Sequence, residues 1–88
     1  MCTMISMVTP ITGSAKGATG WFSLSQANVG YDHATHGQFD HALLVDFVNP
    51  DLGAGARVAV EMDIASGKAL IVQLQAAIAA AEETGVAE

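Results

Sequence analysis

The chain has a single cysteine, Cys2, two prolines and only three basic residues, Lys16, Arg57 and Lys68, in 88 residues. Each shortage excludes something. A lone cysteine can close no internal disulfide and supplies no CxxC metal or redox motif, so stability has to come from packing or association. Three bases against nine acids leave a formal net charge of −6. Without clustered Lys and Arg to release counterions, neither nucleic acid nor an anionic membrane is an expected partner. No basic residue precedes Lys16 and no long apolar core follows Met1, which argues against a secretory signal. The longest apolar tract, residues 69–81, is Ala-rich and interrupted by Gln73 and Gln75, too short and too weak to predict a membrane span. A cytoplasmic protein is the expectation. Charged residues make up only 14% of the chain and hydrophobic ones 51%, which excludes a disordered segment.

This length predicts one small domain over residues 1–88, with 84–88 frayed at the end. A domain so short buries only about 60% of the surface its unfolded chain exposes. Combined with the apolar composition, this predicts a homo-oligomer, a dimer or higher.

Four strands and one helix are legible. Residues 2–11 carry apolar side chains on both parities, and Pro10 places that strand at an edge or ends its pairing there. The stretch GSAKGATG, residues 13–20, reads as a loop on its three glycines. Residues 21–29 form the second strand candidate, and the polar segment YDHATHGQFDH, residues 31–41, connects it to the third, HALLVDFVN. NPDLGAG then reads as a hairpin turn into ARVAVEM, where Val58, Val60 and Met62 face the core while Arg57, Ala59 and Glu61 face away. Asp63 or Ser66 caps a helix ending at Gly85, with Leu70, Ile71, Leu74, Ala77, Ile78 and Ala81 at helical spacing. The predicted architecture is α+β: about four mainly antiparallel strands followed by one C-terminal amphipathic helix packed on one sheet face. A sheet with two apolar faces and one helix needs a second cover, which a symmetric dimer or the long loops would supply.

The chemistry-bearing residues are few. TGSAKGATG superficially resembles a nucleotide loop with Lys16 as phosphate ligand, but it leads into a strand rather than a helix and lacks the Walker order of residues. The histidines are more informative: His33, His36 and His41 fall within nine residues, flanked by Asp32 and Asp40. Three converging imidazoles suit a transition metal, zinc or copper above all, with Cys2 or Asp32 as a further ligand. The competing reading is a polar connection whose histidines stack on Trp21 or Tyr31 or bond to Asp32 and Asp40. Cys2 is equally at home as a small buried hydrophobe. Glu61 reads as solvated. A strand carboxylate facing the interior needs a partner, with Arg57 or a histidine the obvious candidate, and Asp46, between apolar neighbours, could also bond Tyr31 or Trp21.

MCTMI, GSAKG, VGYDH with a second His three residues on, HAL, DFVN and GARVAVE together resemble a family of short, uncharacterised actinobacterial proteins classed as a domain of unknown function. The resemblance runs over nearly the whole chain. It carries no activity, but implies a shared pattern of Cys2, Gly17, Trp21, Tyr31, Asp32, His33, His36, His41, Asp46 and Asn49.

Two functions follow as expectations. The first is a small cytoplasmic metal-binding protein with its site at His33, His36, His41, Cys2 and Asp32. The second is an accessory subunit or oligomeric interaction module with structural histidines, docking on itself or on a larger enzyme.

Overall fold

The computed structural model describes residues 5–33 and 40–85. Four strands, β1 (Ile5–Gly17), β2 (Gly20–His33), β3 (His41–Val48) and β4 (Arg57–Met62), form one sheet in sequence order, followed by the helix α1 (Ile64–Glu83). Every neighbouring pair is antiparallel. This is the expected α+β architecture, four antiparallel strands and a C-terminal helix that contacts the sheet.

The first hairpin is longer than the sequence suggested. Residues 13–17, read as loop, belong to β1, and the connection to β2 shrinks to Ala18 and Thr19 before Gly20, whose φ of +126° suits glycine. Ladder pairing with β2 overrides the weak strand propensity of these small residues. β1 lies at the sheet edge, as Pro10 required, but its pairing continues past Pro10 through a register shift between Pro10 and Gly13. β2 likewise absorbs Tyr31, Asp32 and His33, which had been read as part of the connection.

Strand alternation sorts the side chains of the sheet onto two unlike faces. On one, the cross-strand rows read Ile5, Tyr31, Leu43, Met62, then Met7, Val29, Val45, Val60, then Thr9, Ala27, Phe47, Val58. On the other they read Ser6, Gly30, Leu44, Glu61, then Val8, Asn28, Asp46, Ala59, then Pro10, Gln26, Val48, Arg57. The expectation of two apolar faces is therefore corrected: one face is apolar and the other is mixed.

The helix meets the apolar face at one place. Asp63 is its N-cap, its carboxylate accepting the Ser66 amide proton over 2.8 Å. One turn later Gly67 lies so close to Leu43 and Met62 that a side-chain carbon there would collide with Leu43 Cδ1. Beyond that contact the helix is exposed along its length. Ile71 and Leu74 share Gly67's side of the helix, so an axis running along the sheet would bury them. Each is 55% exposed. The helix therefore diverges from the sheet after its first turns. Among the described residues the buried apolar side chains are only Ala27, Ala42 and Ala56.

Candidate functional site

Among the described residues the proposed metal ligands form no metal site. His33 and His41 are direct partners across β2 and β3, with ring centroids 4.5 Å apart and planes 33° from parallel. Two imidazoles side by side supply at most two ligands, short of the three protein ligands of a catalytic zinc site. His41 also stacks on Tyr31, centroids 5.7 Å apart. Asp32, one residue before His33 in the strand, projects to the opposite face by the two-residue alternation of β structure. Its Oδ1 accepts the His33 backbone N–H over 2.7 Å. Cys2 and His36 lie outside the described residues. Among the described residues no group of three or more His, Cys, Asp and Glu could hold a metal ion. The metal-binding function read from the histidine cluster is thus corrected. His33 itself belongs to the β2 ladder, and pleating separates the Asp32 carboxylate from the rings. Stacking on Tyr31, the competing expectation, is what His41 does.

The mixed face carries the other polar residues. Arg57 Nη2 donates to both oxygens of Asp46 at 3.2 and 3.1 Å, so of the candidate partners Arg57 is the one that Asp46 takes. The pair is a cross-strand diagonal, one step off the Val48 and Arg57 register. Gln26 Nε2 donates to Asn28 Oδ1 at 2.9 Å on β2. Gln26, Asn28 and Arg57, with Val48, Pro50 and Ala56, border an open depression of about 410 Å³. Glu61, expected to be solvated, is half-buried and has a partner.

Asn49 is a structural residue that the chemistry-led reading passed over. Its Oδ1 accepts the Asp51 amide proton at 3.1 Å and caps the 3-10 turn Pro50–Leu52, while its Nδ2 donates to the Ser23 carbonyl at 2.9 Å. One side chain thus ties the β3–β4 connection to β2. The Asn-Pro-Asp sequence held the signal for the cap, but the bond to Ser23 depends on β2 and β3 being neighbours.

The largest unassigned feature is apolar. The β1 end of the smooth face leaves Met7 56% exposed, and α1 presents Ile71, Leu74 and Ile78 to solvent. Lys68 is the only charged side chain in the helix before Glu82 and Glu83. By length and composition α1 is long and apolar enough to cross a membrane.

No curated protein and no solved structure matches the chain. A family model does match, over residues 1–87. The chain belongs to DUF6295, a family of unknown function.

Proposed function

We propose that this chain is a self-associating interaction module whose working form is a homo-oligomer. The observation that carries the reading is its surface. Among the described residues Ile5, Met7, Ile71, Leu74 and Ile78 stand 45–56% exposed, while the buried apolar side chains are only Ala27, Ala42 and Ala56. Burying one Ile, Leu or Val side chain contributes about 1.5–3 kcal/mol. The exposed stripe on α1 and the β1 end of the apolar sheet face therefore represent a large unsatisfied driving force for association.

Native mass spectrometry and light scattering at micromolar concentration test this reading. A mass of twice 9.0 kDa, or a higher multiple, is expected. A single-chain mass at all concentrations overturns it.

A further inference from the structure

We infer that association is reciprocal: the helix α1 of each copy lies on the apolar sheet face of the other. This rests on the self-association reading and specifies its geometry. Two surfaces are left open in each chain. One is the helix stripe Ile71, Leu74 and Ile78, at 55%, 55% and 56% exposure. The other is the apolar sheet face, whose β1 end leaves Ile5 45% and Met7 56% exposed and whose central row, Val29, Val45 and Val60, is half-buried.

The alternatives each leave one surface uncovered. A helix-to-helix pair would bury the stripe but leave the sheet face open. The stripe repeats Ile64, Ile71 and Ile78 at seven-residue intervals over a 20-residue helix, short of the three to four heptads that specify a coiled coil. A sheet-to-sheet pair would leave the helix in solvent. Reciprocal placement covers both surfaces with one two-fold operation, each surface serving as the other's complement. The lengths agree, because the 16 helical residues after Gly67 span about 24 Å and the eight residues of β3 about 26 Å. The contact between Gly67 and Leu43 holds the start of the helix beside its own sheet, and the diverging remainder is what reaches across.

A bilayer is a weaker occupant. α1 carries Lys68, Gln73 and Gln75 within its span and is flanked by Asp63, Glu82 and Glu83 rather than by Lys or Arg. A spanning helix would also leave the sheet face uncovered.

The test uses the full chain with Cys2→Ser throughout. Val45→Cys and Leu74→Cys chains are co-expressed, and each is also made alone. All are oxidised mildly, with folding checked by circular dichroism and native mass measured before oxidation. Val60→Cys with Ile71→Cys serves as a second pair should the first fold poorly. The expected result is a mixed cross-linked dimer at least tenfold more abundant than either same-residue dimer, from a native species of two chains or more. A multimeric native mass with Leu74–Leu74 cross-links dominant, or with no mixed product, overturns the reciprocal geometry while self-association stands. A single-chain mass overturns both, and transfer of that monomer onto phosphatidylcholine vesicles assigns the helix to a membrane instead.

Discussion

At the residue scale, two glycines separate rigid from yielding close contacts. A side-chain carbon at Gly30 would sit 2.7 Å from the backbone carbonyl oxygen of Ile5, which cannot move without opening the β1–β2 ladder. At Gly67 the obstacle is the end of the Leu43 side chain, which can change rotamer. Gly67→Ala also gains helix propensity of about 1 kcal/mol. Urea denaturation should therefore show Gly30→Ala costing about 2–3 kcal/mol and Gly67→Ala less than about 1 kcal/mol. Equal costs would mean that Leu43 is as immobile as backbone. Asn49→Ala removes both a cap and the bond to Ser23 and should cost about 1–2 kcal/mol in the same measurement. Asp46→Asn is expected to matter less, below about 1 kcal/mol, because Arg57 is 56% exposed and water screens the pair. An Asp46→Asn cost above that of Asn49→Ala would contradict this ranking. Residue identity made the Asp46 partner problem legible, since a carboxylate between Leu44 and Val48 invites one. The solution, Arg57, required the β3–β4 register.

At the scale of elements, the helix start titrates. Hydrogen bonds from Ser66, its hydroxyl first and its backbone amide second, hold the Asp63 carboxyl below the ordinary aspartate range. Because the folded-state value is depressed, the stabilisation is present above the unfolded-state value of about 3.9 and fades as pH falls through the folded-state one. Helicity at 222 nm should therefore drop on acidification below about pH 4, and Asp63→Asn, which keeps an acceptor without the charge, should flatten that part of the profile. An unchanged acid limb in Asp63→Asn would assign the transition to other carboxylates. The helix and the last two strands were readable because period and capping agree there: Asp63, the Ile and Leu spacing, and the alternation of Val58, Val60 and Met62. The first hairpin was misread because residues 13–17 are small and glycine-rich, and their strand state comes from pairing with Gly20, Trp21, Phe22, Ser23 and Leu24 rather than from their own preference. The histidine site failed for a related reason. Proximity in sequence suggested a shared focus; extension of β2 through His33 pairs it with His41 but turns Asp32 to the opposite face, leaving two imidazoles without the carboxylate.

At the scale of the whole molecule, a chain whose described core is three alanines is expected to derive its stability from association. Its thermal midpoint should rise with protein concentration between 1 and 100 μM, as mass action requires of a dimer that unfolds to free chains. A midpoint independent of concentration would show that each chain holds itself together. The sequence by itself determined the element types, the order of strands and helix, the cap at Asp63 and the acidic, base-poor surface, because these depend on side-chain period, local hydrogen bonding and composition. Only tertiary structure decided which parity of β1, β2 and β3 forms the apolar face, that Asp32 turns away from His33 and His41, and that α1 leaves the sheet after Gly67. Those outcomes are set by ladder register and by the direction in which one helix departs, and both are relations between residues far apart in the chain.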